Sequence, residues 1–312
     1  MKAIRLHARG GPEQMVYEDA PMPALQPGDA LVRVYATAFT RTELTWDETY
    51  RNPDGSPRLP TIPGHEMSGM IESVPVGIRD LGPGDAVYAL ADFPRDGAAA
   101  EYIAIRAGHL ALKPRTLDHV HSAALTLSGL TAWQALFTHG GLERGQRVLI
   151  HGAAGGVGVF AVQLAKWKGA HVITTSSASN FEFLRGLGAD ETIDYTKTRY
   201  DDVLRDIDLV LDAVGEDTVE RSWKVLRPGG VMISVAVPIA PDEPAKHGAR
   251  GLFFIVEANR EQLEDMAKLV DDGRLKVIVS DVFPLAQARK AFELGMQGHN
   301  RGKVVLRVRD DS

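Results

Sequence analysis

The segment RVLIHGAAGGVGVFAVQLAKWKGAHVITT (147 to 175) constrains this chain more than any other stretch of its 312 residues. A five-residue apolar run ends in Gly152-Ala153-Ala154-Gly155-Gly156-Val157-Gly158. Apolar residues then recur at helical spacing, at Val157, Val159, Phe160, Val162, Leu164 and Ala165, before a second apolar run begins. Strand, tight turn, helix and strand in that order predict a parallel sheet covered on both faces, because such strands are apolar throughout instead of alternating. Three later runs, DLVLDAV (208 to 214), GVMISVAV (230 to 237) and LFFIVEA (252 to 258), extend the same sheet.

Up to about residue 115 the texture is different. Pro and Gly punctuate short alternating segments such as DALVRVYA (29 to 36), MSGMIESV (67 to 74) and AEYIAIRA (100 to 107), which read as a strand-rich domain. The last stretch carries an amphipathic helix around Glu261 to Asp271, a strand KVIVSDVF (276 to 283), a helix from Leu285 to Met296 and a closing strand KVVLRV (303 to 308). The expected division is a β-rich domain over 1–120, completed by about 275–312, and a parallel α/β domain over 121–274.

The glycine turn follows the dinucleotide fingerprint G-x-G-x-x-G, with Ala153 at its first position, Gly155 at the second and Gly158 at the third. The second position matters most, since a side chain there keeps a pyrophosphate away from the helix N-terminus. A unit specific for NAD places an acid at the end of the second strand to meet the ribose hydroxyls. Here that strand ends VITTSS, with no Asp or Glu between Gly158 and Glu182. Ser176 and Ser177 offer donors to a 2′-phosphate, so the expected cofactor is NADP(H). One of them also suits the cap of the next helix.

Cysteine is absent, which excludes a thiolate nucleophile and every zinc site that needs sulfur. The balance of 35 basic and 41 acidic residues gives −6 with no basic run, so neither nucleic acid nor a membrane surface is an expected partner. No membrane span and no apolar signal core is legible, and the expected compartment is the cytoplasm. Neither a G-x-S-x-G elbow nor an H-E-x-x-H helix occurs.

The segment GQRVLIHGAAGGVGVFAVQLAK (145 to 166), together with GLTAWQAL (129 to 136), LRGLGADETIDY (184 to 195), LVLDAVG (209 to 215) and the pair Gly302-Lys303, resembles the zinc-independent medium-chain reductases of the quinone oxidoreductase and zeta-crystallin type. The resemblance runs from MKAIRL to RGKVVLRV. It implies a Rossmann doubly wound sheet joined to a chaperonin-10-like β-rich catalytic domain, with NADPH in the cleft. By position it implies Thr131 near the nicotinamide and Gly155, Gly156, Val157 and Gly158 on the pyrophosphate. By the same carry-over Ser176, Asn180 and Tyr195 would surround the 2′-phosphate and adenosine, Asn180 standing where several relatives have Lys. The loops Ala213-Val214-Gly215, Val235-Ala236-Val237 and Phe253-Phe254-Ile255 match those that hold ribose and carboxamide; each is equally a plain strand end. A homodimer through an edge strand of the Rossmann sheet, in the stretch from GGVMISVAV to LFFIVEA, is also implied.

Zinc-dependent relatives carry Gly-His-Glu, and this chain has it at Gly64-His65-Glu66. The position resembling the first cysteine ligand is Thr40, and the one facing the third is Leu127 or Ser128, so no metal is expected and His65-Glu66 is read as a retained hydrogen-bonded pair. Without a metal the chemistry suits a quinone or an α,β-unsaturated carbonyl, whose developing charge is delocalised. Thr40, Trp46, Tyr50 and His65 are the candidates to line the acceptor pocket, Tyr50 having the most suitable donor. Trp46 and Tyr50 fit core packing as well. A zinc alcohol dehydrogenase and a dinucleotide-binding protein without turnover remain the alternatives.

Overall fold

Six parallel strands build the sheet that the glycine turn announces, in the spatial order Glu191–Asp194, His171–Ser176, Arg147–His151, Ile207–Asp212, Leu226–Ser234, Arg250–Phe253. The strand before the turn sits in the middle, with the next two in the chain on one side and the later ones on the other. The strand order therefore reverses beside the glycine turn, which is where open α/β sheets bind ligands. In this computed structural model, which describes residues 1–298 and 300–310, the sheet belongs to a unit formed by Ser128–Glu257 and Gly273–Lys276. Leu149, Ile173, Val210 and Met232 of the strands pack with Tyr200 and Trp223 in its core. The helix Gly156–Lys168 buries Val159, Phe160, Val162, Leu164 and Ala165 and closes at Gly169, whose φ of +89° lets its N–H reach the Ala165 and Lys166 carbonyls.

The other unit comprises Met1–Leu127, Ala258–Asp272 and Val277–Ser312. Its strands lie in the order Val279–Pro284, Lys303–Arg307, Asp29–Ala38, Glu66–Ser73, Ala86–Leu90, Ala111–Leu112, with Tyr102–Arg106 also paired to Asp29–Ala38. The alternating burial of Asp29–Ala38 shows one face on the core, as expected of an antiparallel strand. A hairpin of Lys2–Leu6 and Met15–Asp19 stands apart from this sheet.

Three sequence expectations need correction. LFFIVEA is strand only as far as Phe253, because Gln134 takes over the backbone of Glu257: its amide donates to the Glu257 carbonyl at 2.8 Å and accepts the Glu257 N–H at 3.0 Å. KVIVSDVF becomes strand at Val279 and not at Lys276, whose backbone is held in the same two-bond manner by Gln163. The helix Arg260–Asp271, assigned from sequence to the α/β domain, belongs to the first unit. Leu263, Met266, Leu269 and Val270 are its buried face, the Tyr88 hydroxyl donates to the Leu263 carbonyl, and Asp271 accepts from Thr116. Amphipathic period alone does not say which sheet a helix covers. Among the described residues no helix is long and apolar enough to cross a membrane.

Candidate functional site

The glycine turn leaves Arg147–His151 through Gly152, at φ +69°, and enters the helix at Gly155, which offers no side-chain cap. The first N–H groups of the helix thus lack a capping side chain, the arrangement that receives a phosphate. Its glycines differ in function. A Cβ on Gly158 would lie 2.3 Å from the Gly152 carbonyl oxygen and 2.5 Å from the Ala153 Cα, so this position is required for closure of the turn. A Cβ on Gly155 meets nothing closer than the Gly152 oxygen at 3.3 Å. Gly156 and Val157 continue the first turn, half-buried.

At the end of the neighbouring strand Ser176 is buried and donates to the Ser177 carbonyl at 3.1 Å. Ser177 is half-buried, its hydroxyl 3.0 Å from that of Ser179 and 3.4 Å from the Asn180 amide. Ser177, not Ser176, is therefore the hydroxyl open to a ligand. Asp194 stands opposite Ser176 in register, but its carboxylate accepts from Thr196, and Tyr195 beside it is 62% exposed. The remaining loops follow the ends of the parallel strands. Val214, Ala236 and Ile255 are exposed there, while Ala213, Val235, Val237, Phe253 and Phe254 are half-buried. Two strand-end side chains that the sequence did not single out shape these loops. Asp212 accepts the N–H groups of Val214 and Gly215, and Ser234 accepts that of Val237. Thr131 is buried on the helix His119–Trp133.

In the first unit the Gly-His-Glu motif gathers a cluster of buried ionisable groups. His65 and Glu66 are not bonded to each other, contrary to the sequence expectation, because successive residues here point to different partners. His65 Nε2 lies 3.5 Å from Glu43 Oε1, which also accepts the Gly64 N–H at 2.6 Å. Glu66 Oε1 receives the Lys303 ammonium at 2.7 Å, and Lys303 donates as well to the Phe39 carbonyl at 3.0 Å. Trp46, half-buried, stacks toward His65 with ring centroids 6.3 Å apart, and Phe93 meets both rings edge-on. Thr40 is half-buried near Glu66.

Tyr50 does not join this group. It packs in the core with Ile4, Leu6 and Ile62, and its hydroxyl donates to the Leu44 carbonyl at 2.9 Å, so it has no free donor for an acceptor molecule. Glu43 and Lys303 escaped notice as site residues for one reason: their roles come from partners 22 and 237 positions away. The local signal was the Gly302-Lys303 pair, which places a lysine at the opening of the strand Lys303–Arg307.

Burial sets the protonation of these groups. Desolvation, with the Glu66 charge adding to it, pushes the Glu43 carboxyl up to about 7 against the opposing Gly64 N–H and Lys303. Desolvation and the nearby Arg58 guanidinium hold His65 down to about 3, and desolvation holds the buried His151 of the other unit down to about 4. Between about pH 5 and 6.5 the unfolded chain carries protons on both histidines that the native chain refuses, while native Glu43 carries one that the unfolded chain releases. Of these three groups, the two histidines outweigh the one carboxyl, so the unfolded state binds the excess protons. These groups should then make stability fall as pH drops through this window. Glu43→Gln removes the opposing proton and should make the fall steeper. Urea unfolding at several pH values reads this directly, and a flat or rising stability toward pH 5 would contradict it.

Residues 26–115 match the alcohol dehydrogenase GroES-like domain and residues 187–306 the zinc-binding dehydrogenase family. A 2-methylene-furan-3-one reductase of Solanum lycopersicum is 32% identical, over 91% of this chain and 73% of the relative. The NADPH-dependent alkenal/one oxidoreductase, chloroplastic, of Arabidopsis thaliana is 31% identical over 98% of the chain and 79% of its own. The solved quinone oxidoreductase from Coxiella burnetii superposes with a TM-score of 0.92 at 33% identity, covering 99% of both chains. This chain belongs to the quinone oxidoreductase family of the medium-chain dehydrogenases/reductases.

The matching C-terminal family is described as zinc-binding. A catalytic zinc needs three protein ligands and an open fourth position. Here Thr40 supplies no thiolate, Glu66 already carries an ammonium at 2.7 Å, and His65 Nε2 faces Glu43. Among the described residues no three His, Asp or Glu side chains converge on a point that would hold a metal. A buried ammonium at that carboxylate also opposes a second cation there. The residues do not fit a zinc ion.

Proposed function

We propose that this oxidoreductase takes NADPH as its cofactor and reduces quinones or α,β-unsaturated carbonyls without a metal. The Lys303–Glu66 pair carries this reading, since it neutralises the one carboxylate of the Gly-His-Glu motif and leaves no Lewis acid to activate a simple aldehyde. NADPH, when bound, supplies the hydride. The protein's part is to anchor the pyrophosphate at Gly155, Gly156, Val157 and Gly158, to hold the 2′-phosphate with Ser177, Asn180 and Tyr195, and to keep the acceptor in a dry setting. Ser176 acts by placing Ser177. Thr40, Trp46 and His65 are the acceptor-side candidates, with Glu43 and Phe93 added. The names of the alkenal and furanone reductases support a conjugated carbonyl as substrate class. A homodimer belongs to the same reading, and Arg250–Phe253, an edge strand of the parallel sheet, supports it by leaving one side unpaired.

The test is cofactor oxidation at 340 nm with a quinone, an alkenal and a simple aldehyde, with NADPH and NADH, with and without chelator. Chelator-resistant turnover of the quinone or alkenal, faster with NADPH, is expected. Activity confined to the aldehyde and lost to chelator would move the assignment to a zinc alcohol dehydrogenase, and binding without turnover to a non-catalytic dinucleotide protein. Ser177→Asp should lower NADPH affinity about tenfold through charge repulsion while sparing NADH; an unchanged ratio of binding constants would displace the 2′-phosphate from this strand end.

A further inference from the structure

Beneath the glycine turn a chain of hydrogen bonds joins the two ends of the proposed cofactor site. It starts at Thr175, next to Ser176, whose hydroxyl lies 2.7 Å from His151 Nδ1. His151 Nε2 lies 2.9 Å from the Ser222 hydroxyl, and Ser222 lies 3.0 Å from the Tyr200 hydroxyl. Tyr200 donates to the Thr218 carbonyl at 3.0 Å. The Thr218 hydroxyl then reaches Asp212 Oδ2 at 2.9 Å and the Gly215 carbonyl at 2.5 Å, and Asp212 holds the N–H groups of Val214 and Gly215. His151, Asp212 and Ser222 are each fully buried.

The direction of the chain follows from proton counting. Tyr200 has one hydroxyl hydrogen and gives it to Thr218, so Ser222 must donate to Tyr200 and accept from His151 Nε2–H. His151 Nδ1 is then the acceptor, and Thr175 the donor. A protonated imidazole would set donor against donor at Thr175, in keeping with a ring that burial holds neutral down to about 4. Facing the ring are Asp212, Arg221 and Asp217, of which Asp212 is consumed by its own loop.

We propose that His151 is a positioning residue that couples the Ser176-Ser177 strand end to the Ala213–Gly215 loop, so that grip on the 2′-phosphate and placement of the nicotinamide end are linked. The inference rests on the cofactor reading above. Its consequence is that a bond cut far from the 2′-phosphate changes the preference between NADPH and NADH. In the register of the sheet His151 pairs with Asp212, and Asp212 with Ser234, so one row of polar side chains crosses directly below the loops. A contiguous hydrogen-bonded row is the kind of connection along which such coupling runs.

The experiment measures dissociation constants of NADPH and NADH for the full chain by fluorescence titration, in the wild type, Thr175→Val, Ser222→Ala and Ser177→Asp. Thr175→Val and Ser222→Ala each remove one link and keep the volume nearly constant. Both are expected to lower the NADPH:NADH preference about fivefold, the size of one modest hydrogen bond. A purely structural role would lower thermal stability and weaken both cofactors in the same ratio, and that result overturns the proposal. A changed ratio in Thr175→Val alone would also overturn it, because that reports only local placement of Ser177. Should Ser177→Asp leave the ratio untouched, the 2′-phosphate assignment itself has failed, and the coupling falls with it.

Discussion

Lys303→Met should destabilise the first unit by about 3–5 kcal/mol, the largest loss expected from any single substitution here. The Lys303 and Glu66 side chains are 5% and 1% exposed, so the change leaves a carboxylate without solvent and without a counter-charge. The Phe39 carbonyl loses its donor at the same time. Glu66 escapes by taking up a proton, a direction in which burial already pushes it. The loss should therefore be greatest near pH 8 and shrink toward pH 6. Combining Lys303→Met with Glu66→Leu should recover most of the stability, since a well-packed apolar pair replaces a buried ion pair at little or no net cost. Denaturant unfolding of the four members of this cycle measures the coupling. A single-mutant loss below about 1 kcal/mol would show that the pair is solvated in ways its burial denies.

The second large effect is on binding. Gly155→Val should weaken NADPH about a hundredfold or more while leaving the secondary structure and melting temperature of the chain near wild type. Gly155 has extended backbone angles, φ −78° and ψ −177°, that any residue adopts, and the space beyond its Cα is open apart from one oxygen at 3.3 Å. The side chain thus projects where the phosphate must come. Gly158→Val is the contrasting control. Its Cβ would collide with backbone of the same turn at 2.3 to 2.6 Å, so folding of the α/β unit should suffer along with binding. Calorimetric titration with NADPH beside circular dichroism separates the two. Binding within threefold of wild type in Gly155→Val would remove the pyrophosphate from the turn.

The glycine turn and the parallel strands were legible because they are local: an apolar run, a tight turn and a helical period within thirty residues fix one unit of structure. The strand Arg147–His151 lies where the pattern puts it, and the helix Gly156–Lys168 falls inside the segment of helical spacing that follows. The missing acid after the second strand was legible for the same reason. Burial was not. Ser176 and Ser177 look alike in sequence, yet one is 5% exposed and the other half-buried, because Ser176 closes a strand that is buried on both faces and Ser177 already lies beyond it, at the start of the helical turn Ala178–Asn180.

What tertiary structure alone decided are the pairings. Tyr50 reads as a candidate donor until the Leu44 carbonyl and the core around it are seen, and Glu43 reads as one acid among 41 until His65 and Gly64 are found against it. The covering partner of the helix Arg260–Asp271 and the ends of two strands were likewise settled by side chains distant in the chain, Tyr88, Gln134 and Gln163. The amino-acid sequence by itself determined the two sheet types, the glycine turn between strand and helix and the lack of sulfur ligands, all of which follow from residue type and short-range period. Which charges are buried together, and hence which carboxyl holds its proton near neutrality and which is neutralised by Lys303, depends on desolvation and on contacts between distant segments, and only the folded chain creates those.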